Sequence, residues 1–282
     1  MTDSNAKATH RLTLVIGATG KTGRRVAERL EARGLPVRRG SRAATPAFDW
    51  KKPEGWDACL DGVKAVYITY APDLAMPGAG DAITELVRRA GRAGVERFVL
   101  LSGRGEEEAQ AAERIVLASG VPTTIVRASW FHQNFSEGAF VDMVQAGMIT
   151  LPAGDVPEPF VDVDDIADVV VAALTEPGHE GEIYEVTGPR LLTFADVAAE
   201  LTKAAGRPVG FTRVPHDAFV AGAAEAGAPE DVVWMLDYLF ATVLDGRNAT
   251  LTGGVQRALG RPPRDFADYA RDAAATGVWE AA

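Results

Sequence analysis

Residues 12–23 of this chain have the sequence LTLVIGATGKTG. The first five of these residues are apolar or β-branched and stop at a glycine, which predicts a buried strand. A helix is predicted over Thr22–Arg33 because Val26 and Leu30 share one helical face, and Gly34 follows as the residue that ends it. The segment therefore predicts a strand, a glycine-rich turn and a helix, in that order.

The glycines of this turn recur at every third position, and each has a separate structural role. Gly17 permits the tight turn, Gly20 lets the backbone approach a pyrophosphate, and Gly23 allows the helix to pack closely on the strand. The first N–H groups of the helix then face the phosphates, and the helix dipole favours their charge. The turn predicts a dinucleotide phosphate site whose residues are Gly17, Thr19, Gly20, Lys21, Thr22 and Gly23.

A nucleoside triphosphate site is an alternative, because Gly20-Lys21-Thr22 also ends a P-loop signature. That signature needs a glycine five residues before Gly20, whereas position 15 is Val15. The later strands lack a convincing acidic magnesium site. A purely structural glycine turn is the other alternative, but the strand and helix around the turn favour a dinucleotide.

The stretch after the predicted helix distinguishes between the two nicotinamide dinucleotides. An acidic residue about 20 positions after the loop is typical of NAD sites, because it binds the ribose hydroxyls. Residues 38–42 of this chain, RRGSR, contain no acid. Guanidinium groups and a serine suit a 2′-phosphate. We therefore expect NADP(H), bound through Arg39, Ser41 and Arg42, with an idle surface turn as the alternative.

Strand and helix patterns alternate beyond this point. Further strands are predicted at 36–38, 65–69, 97–101, 122–127 and 183–186, and helices at 79–93, 106–118 and 164–174, with another helix beginning at Thr193. Strands separated by helices predict a parallel sheet covered on both faces. With right-handed crossovers, the fold class is α/β, a Rossmann-type doubly wound parallel sheet.

The C-terminal part is expected to be a small, mostly helical substrate lobe, since residues from about Pro208 onward have mainly helical patterns. No disordered linker separates this part from the rest. We therefore expect a single domain over residues 1–282, with a dinucleotide-binding core at 11–155 and a mixed, mainly substrate-side subdomain at about 156–282.

The composition limits the classes of partner. The formal net charge is −10, from 39 acidic and 29 basic residues, whereas nucleic acid and anionic lipid reward a concentrated positive patch. The polar start Met1–Arg11 lacks the apolar core of a signal peptide, and no apolar run approaches the ~20 residues that span a bilayer. Cys59 is the single cysteine and is expected to be a buried, inert thiol. We expect a cytoplasmic protein with a small-molecule substrate and with no nucleic-acid or membrane partner.

Clusters of acidic residues and histidines do not predict a metal site. Asp162, Asp164 and Asp165 resemble a carboxylate cluster, but helix capping and the helix dipole explain them better. The residues Glu106-Glu107-Glu108 are interpreted as a solvated first helical turn. The histidines lack metal-ligand spacing; they are His10, His132, His179 and His216.

Six stretches of the sequence resemble the atypical short-chain dehydrogenase/reductase proteins of the NmrA-like branch. They are GATGKTGR (17–24), AVYI (65–68), LLSG (100–103), RASWFHQNF (127–135), PFVDVDDIA (159–167) and YEVTGP (184–189). The resemblance spans nearly the whole chain, and its most specific parts are the glycine loop and residues 160–167. It implies a Rossmann fold with a small C-terminal substrate lobe.

The resemblance also implies positions for the cofactor. The adenine commonly lies near an acidic residue after the third strand, which here would be Asp49. The nicotinamide ribose usually lies by the ends of the fourth and fifth strands, here at Thr69, Tyr70, Ser102 and Gly103. The substrate pocket would be lined by the segment that begins at Trp130, with Phe131 and Asn134.

The usual catalytic pair of short-chain reductases is absent. In Tyr-x-x-x-Lys the lysine lowers the tyrosine pKa, so that the phenol can protonate a carbonyl oxygen. No tyrosine of this chain has a lysine four residues later. Transfer of a hydride to an activated acceptor needs mainly an oriented donor, and the candidate catalytic residues are then Tyr70, Ser102 and His132.

Two functions follow from this pattern. The first is an NADPH-dependent oxidoreductase that transfers hydride to a small carbonyl, quinone or similar acceptor. The alternative is a non-catalytic NADP(H)-sensing regulatory protein that binds a protein partner, since the NmrA-like branch contains both reductases and regulators. A protein partner or a homo-oligomer is compatible with both.

Overall fold

The computed structural model of the protein describes residues 11–138 and 140–280. The polar start of the chain, with His10, lies outside the described residues. By its internal contacts the chain forms two compact units, Met1–Arg127 with Ile166–Tyr184, and Ala128–Asp165 with Glu185–Ala282. This division differs from the single expected boundary near residue 155, because a helix and a strand of the later sequence return to the first unit.

A six-stranded sheet forms the centre of the first unit. Its strands are β1 (Thr13–Ile16), β2 (Val37–Gly40), β3 (Ala65–Ile68), β4 (Arg97–Gly103), β5 (Thr123–Ala128) and the strand Ile183–Val186, which is β7 in chain order. The spatial order is β2-β1-β3-β4-β5-β7. The pairs β1–β2, β1–β3 and β3–β4 are parallel. The chain thus reverses its direction of winding at β1, where a doubly wound sheet binds its ligand.

Helices cover both faces of this sheet. They are α1 (Lys21–Ala32), α2 (Trp56–Leu60), α3 (Ala79–Arg92), α4 (Glu107–Leu117) and the helix Val163–Thr175, which is α6 in chain order. The Tyr67 hydroxyl donates to Thr22 Oγ1 of α1 at 2.9 Å, whereas Val66 and Ile68 pack in one core with α3 and α4. Because side chains alternate along a strand, α1 and α3–α4 lie on opposite faces. The expected Rossmann-type doubly wound fold is confirmed.

The second unit is built around an aromatic core. The fully buried members include Phe135, Phe160, Phe194 and Phe266. Its helices are α5 (Val141–Gln145), α7 (Phe194–Ala205), α8 (His216–Glu225), α9 (Glu230–Tyr238), α10 (Gly254–Leu259) and α11 (Phe266–Ala275). A two-stranded parallel sheet of β6 (Met148–Leu151) and β8 (Gly210–Arg213) adds to the expected helices. Each of these strands has four residues, which is too short for a period-2 pattern to mark it.

Thr193 caps α7, as the sequence predicts. The Thr193 Oγ1 accepts from the Asp196 amide at 3.1 Å, and Asp196 Oδ2 accepts from the Thr193 amide at 2.9 Å. This reciprocal capping box satisfies two backbone donors that the first helical turn leaves without partners. The helix therefore begins where local sequence dictates.

Two expectations from composition concern the described part of the chain. No helix there has the length and apolar character needed to cross a membrane. Cys59 is fully buried in the core of the first unit. Burial raises the pKa of its thiol, so the thiolate that would react is disfavoured.

Replacing Gly23 by alanine should destabilise the first unit. A β-carbon on Gly23 would lie 2.2 Å from the Gly17 carbonyl oxygen, so α1 would have to move away from β1. We expect the free energy of unfolding in urea to fall by about 1–3 kcal/mol, as overpacking generally costs.

Gly91→Ala is the matched control for this substitution. Gly91 lies within α3 and has no atom within 4 Å of an added β-carbon. Alanine should therefore stabilise the protein by about 0.5–1 kcal/mol, through helix propensity alone. Equal effects of the two substitutions would contradict the packing constraint at Gly23.

Candidate functional site

The glycine turn between β1 and α1 has backbone geometry that side chains would prevent. Gly17 has a φ of +69°, in the left-handed region that favours glycine, and a β-carbon there would lie 2.6 Å from Thr69 Cγ2. The Gly20 amide donates to the Gly17 carbonyl at 2.8 Å and closes the turn. The turn therefore presents backbone rather than side chains at the end of β1.

The start of α1 is available to an anion. Gly20 is the N-cap residue, it is extended, and it provides no side chain to cap the helix. No acidic residue lies in the first turn of α1, so no carboxylate competes for the helix dipole. Thr19 and Gly20 are exposed. An uncapped helix start behind a glycine cradle has the donors and the space that a pyrophosphate requires, and the residues present therefore fit a dinucleotide.

Thr22 has an internal partner. Its side chain is buried, and its hydroxyl accepts the hydrogen bond from Tyr67. This bond joins the first turn of α1 to β3. Lys21 is half-buried at the helix start, where its backbone carbonyl accepts from Arg25 at 3.0 Å. The exposed hydroxyl of the loop is that of Thr19.

The arginines of β2 and of the loop that follows it have different surroundings. Arg38 donates to the carbonyls of Cys59 at 2.9 Å and Asp61 at 2.6 Å, and so holds the end of α2. Arg39 makes a two-pronged ion pair with Glu31, at 2.9 and 2.6 Å. Arg42 is exposed and Ser41 is half-buried. Of the predicted 2′-phosphate residues, Arg39 lies within β2, whereas Ser41 and Arg42 follow its end at the carboxyl edge of the sheet.

The resemblance assigned strand numbers that the structure corrects. Asp49 lies between β2 and β3, and therefore precedes the third strand. Thr69 and Tyr70 follow β3, while Ser102 and Gly103 end β4, so these two segments follow the third and fourth strands rather than the fourth and fifth. The reason is that residues 41–64 contain a 3-10 turn and the short helix α2, with no additional strand.

Asp49 takes part in local hydrogen bonds. Its Oδ1 accepts from the Lys51 amide at 3.0 Å, and its carbonyl accepts from Trp56 Nε1 at 2.8 Å. Trp56 stacks on Phe48 with ring centroids 5.3 Å apart. This aromatic packing fixes the backbone around Asp49 beside the loop that follows β2.

Tyr70 lies at the carboxyl end of β3. Its ring packs against Trp50 at a centroid distance of 4.8 Å, and Trp50 Nε1 donates to the Thr69 carbonyl at 3.2 Å. Burial raises the pKa of the Tyr70 phenol. The phenol therefore stays protonated at neutral pH, where it can donate a hydrogen bond.

A buried glutamate lies beside the end of β4, and sequence reasoning missed it. Glu106 is 6% exposed, whereas Glu107 and Glu108 are exposed. The interpretation of all three as a solvated turn is therefore wrong for Glu106. A β-carbon on Gly103 would lie 2.0 Å from its carboxylate, so only glycine leaves room for this carboxyl group. The Gly103-x-x-Glu106 spacing was the available signal.

The candidate residues of the second unit lie on one short segment. Trp130 packs against Phe194 and Phe240, with ring centroids 5.6 and 5.2 Å away. Phe131 forms a β-bridge with Val161. Trp130, Phe131 and Asn134 are all half-buried, so each keeps a partly accessible side chain.

His132 is fully buried and supports the structure of the second unit. Its Nε2 lies 2.9 Å from the Phe160 carbonyl oxygen and donates to it, since a carbonyl only accepts. Its ring packs against Phe266 at a centroid distance of 4.9 Å. With no exposed surface, the imidazole ties two segments of this unit together.

Asp162 is the centre of a polar network in the second unit. Its Oδ1 accepts from Gln133 Nε2 at 2.6 Å and from the Asp164 amide at 2.9 Å, and its Oδ2 accepts from Arg264 at 3.1 Å. Asp162 therefore caps the helix that begins at Val163, as expected. Among the residues that the structure describes, no group of His, Cys, Asp and Glu could hold a metal ion.

The ionised state of Asp162 is strongly favoured. Burial by itself raises the pKa of this carboxyl, but His132, the Asp164 amide and Gln133 together hold it well below its usual range. A carboxyl with a lowered pKa in the folded state contributes stability above its unfolded pKa. That contribution is lost as the pH falls through the folded-state pKa.

Asp162→Asn should therefore destabilise the protein in a pH-dependent way. We expect a loss of about 1–3 kcal/mol in the free energy of unfolding at neutral pH, because buried charged hydrogen bonds are weakened. The difference from the unsubstituted protein should narrow below about pH 4, the unfolded-state range of an aspartate. Urea unfolding at neutral pH and below about pH 4 measures this difference in the free energy of unfolding. Asp155→Asn, at an exposed position of the same unit, should have no effect, and a pH-independent loss for Asp162→Asn would contradict the account.

Three relatives place this geometry among known proteins. The NAD(P)H azoreductase of Xenophilus azovorans is 32% identical over 290 residues, which cover 93% of this chain and 98% of the relative. The agroclavine dehydrogenase of Claviceps fusiformis is 33% identical, over 92% of this chain and 96% of the relative. The fold is similar to that of an NADPH-dependent quinone oxidoreductase from Escherichia coli, solved in complex with NADPH, with a TM-score of 0.77, 22% identity, and coverage of 93% of this chain and 99% of that one.

A family model covers most of the sequence. The model of the NmrA-like family matches residues 9–246. This range contains the glycine turn, the six-stranded sheet and Asp162. The match and the relatives confirm the resemblance described above, and the chain belongs to the NmrA-like family.

Proposed function

We propose that this chain is an NADP(H)-dependent oxidoreductase that transfers hydride to a small carbonyl, quinone or similar acceptor. The observation that carries the proposal is the glycine turn, in which Gly17, Gly20 and Gly23 leave an uncapped helix start open to a pyrophosphate. The azoreductase and quinone oxidoreductase relatives support an acceptor of this class. Their names also support a nicotinamide cofactor.

The proposed cofactor site follows the carboxyl edge of the sheet. The amides of the glycine turn would hold the pyrophosphate. The nicotinamide ribose would be flanked by Thr69 and Tyr70, which follow β3, and by Ser102 and Gly103, which end β4. When bound, the nicotinamide supplies the hydride. What this chain supplies is orientation, because a positioned donor and acceptor remove much of the entropic barrier.

The 2′-phosphate would be recognised by charge. The Arg39 guanidinium already donates to both oxygens of the Glu31 carboxylate. A phosphate likewise presents two oxygen acceptors to a guanidinium, and it carries more charge. The exposed guanidinium of Arg42 and the Ser41 hydroxyl would complete the site. Glu31 then acts as a competitor that the phosphate must displace.

A non-catalytic NADP(H)-sensing role remains the second candidate. The observation that favours it is the absence of Tyr-x-x-x-Lys from the sequence. Both candidates bind NADP(H), and only the first oxidises it. A protein partner that binds only the nucleotide-loaded protein would be expected for the second candidate alone.

Calorimetric titration with NADPH and NADH, followed by an acceptor screen, separates these candidates. We expect selective binding of NADPH, followed by its oxidation in the presence of quinones, azo compounds or activated ketones. The decrease of NADPH absorbance measures turnover. Binding without turnover over the whole panel would favour the sensing role, and binding of neither nucleotide would refute both candidates.

Arg39→Ala and Arg42→Ala should each weaken NADPH binding much more than NADH binding. Each lost charged hydrogen bond is expected to cost about 1–3 kcal/mol, or about tenfold in dissociation constant per 1.4 kcal/mol. Glu31→Gln should have the opposite effect, because it removes the carboxylate that competes for Arg39. Arg92→Ala, in the exposed last turn of α3, is the control. Equal losses for both nucleotides would show that these arginines do not recognise the phosphate.

A further inference from the structure

Two carboxyl groups of the first unit belong to neighbouring loops at the carboxyl edge of the sheet. Asp73 lies in the loop after β3, and Glu106 is the residue before α4, in the loop after β4. The two side chains are close enough that each affects the pKa of the other. Because β3 and β4 are adjacent and parallel, the loops that carry the two carboxyl groups leave the sheet side by side.

This pair is held in place by its surroundings. Asp73 Oδ1 accepts from the Ala75 amide at 2.8 Å, which fixes the aspartate. The Glu106 carboxyl lies over Gly103, where a β-carbon would be 2.0 Å from Oε1 and 2.2 Å from Oε2. Glu106 is 6% exposed. The glutamate thus lies against the backbone at the end of β4, beside the residues proposed to flank the nicotinamide ribose.

A hydrogen bond between two carboxyl groups requires a proton. Two buried carboxylates in contact do not both ionise, and the pair retains one proton well above the pH at which a solvated carboxyl loses it. Burial is the largest cause that raises the pKa of Glu106, followed by the negative charge of Asp73 and those of Glu108 and Glu113. Burial likewise raises the pKa of Asp73.

The basic groups near this pair do not cancel the rise in the pKa of Glu106. The Arg127 guanidinium is bound to Glu113 by hydrogen bonds of 2.6 and 2.8 Å, so its charge is directed to another carboxylate. Arg104 is in the same loop and is itself buried. The charges that act on Glu106 still raise its pKa overall. Burial and the neighbouring negative charges therefore favour the protonated form of the pair.

Two polar atoms here have no hydrogen-bond partner among the residues that the structure describes. They are Glu106 Oε2 and Ser102 Oγ. Ser102 is 3% exposed, so both atoms are nine-tenths or more removed from solvent. Buried polar atoms are nearly always paired, and an unpaired carboxyl oxygen and hydroxyl at a ligand-binding edge indicate a ligand with polar groups of its own.

We propose that the Asp73–Glu106 pair is the proton donor of this protein, with Glu106 as the catalytic acid and Asp73 as the positioning residue that holds its proton. The inference rests on the proposed oxidoreductase function. It explains how reduction proceeds in a chain without Tyr-x-x-x-Lys. The acceptor that fits is one with an oxygen that becomes basic as it is reduced, such as a ketone or a quinone.

The proton and electron balance of the step is complete. The carbonyl carbon, or the ring of a quinone, gains a hydride with its two electrons, and the electron pair of the C=O π bond moves onto oxygen. The O–H bond of Glu106 breaks, a new O–H bond forms on the acceptor, and Glu106 is left as a carboxylate. The new Glu106 carboxylate would compensate the positive charge left on a bound nicotinamide. Solvent then returns one proton to the pair.

Glu106→Gln tests the proposal, because the amide retains the shape of the acid and cannot donate the same proton. We expect turnover with a quinone to fall about 10²–10⁴-fold, the usual contribution of general acid catalysis, while the dissociation constant for NADPH changes less than threefold. Glu107→Gln, at the exposed neighbouring position, is the matched control and should retain normal turnover.

Asp73→Asn tests the positioning role. Loss of the Asp73 negative charge should lower the pKa of Glu106, so the decline in turnover at alkaline pH should move to lower pH, with normal turnover retained at acidic pH. A merely structural role of Asp73 would reduce turnover at every pH without moving the profile. An unmoved profile would overturn the assignment.

A second measurement needs neither cofactor nor turnover. Difference infrared spectra at neutral pH should contain the C=O band of a protonated carboxylic acid in the unsubstituted protein and in Glu107→Gln, but not in Glu106→Gln. Absence of the band from the unsubstituted protein would overturn the shared proton. Normal turnover by Glu106→Gln would overturn the proton-donor role while leaving the oxidoreductase proposal intact. Failure of the unsubstituted protein to bind NADPH would instead refute the proposed function.

Discussion

The close contact of α1 with the end of β1 is the constraint on which the rest of the first unit depends. A β-carbon on Gly23 would lie 2.2 Å from the Gly17 carbonyl oxygen, so the two segments approach as closely as backbones allow. That approach places the first turn of α1 where Thr22 receives the hydrogen bond from Tyr67 of β3. It also leaves the helix start uncapped. One steric requirement thus determines both the packing of the sheet and the position of its anion-binding donors.

The fold could be predicted because its signals are local. A β-branched run that stops at glycine, and a helix with one apolar face, are patterns that neighbouring residues establish without help from the rest of the chain. The signals for a helix beginning at Thr193 and for a helix capped by Asp162 or Asp164 are equally local, and the structure has Thr193 and Asp162 as the capping residues. The short strands β6 and β8 were missed, because their pairing joins distant parts of the sequence.

The chemistry of the site was harder to predict than its location. In sequence, Glu106 has the same neighbours as a solvated turn, and only the return of the chain over Gly103 and beside Asp73 buries it. Arg39 was recognised as basic, but its pairing with Glu31 depends on how α1 lies along β2. Burial and pairing between distant segments decide the charge of a side chain, and these are properties of the fold. In the second unit the same holds for His132, whose imidazole is fully buried and packs against Phe266.

The order of segments in the chain has a consequence for synthesis on the ribosome. The first unit is interrupted after Arg127 and is completed only by Ile166–Tyr184, which includes part of the edge strand that pairs with β5. A nascent chain that ends before this strand exposes the unpaired edge of β5, and such edges readily pair with other chains. The sheet therefore cannot close until most of the polypeptide has emerged. The unpaired edge of β5 therefore stays exposed for longer during synthesis than it would in a chain whose nucleotide-binding half is continuous.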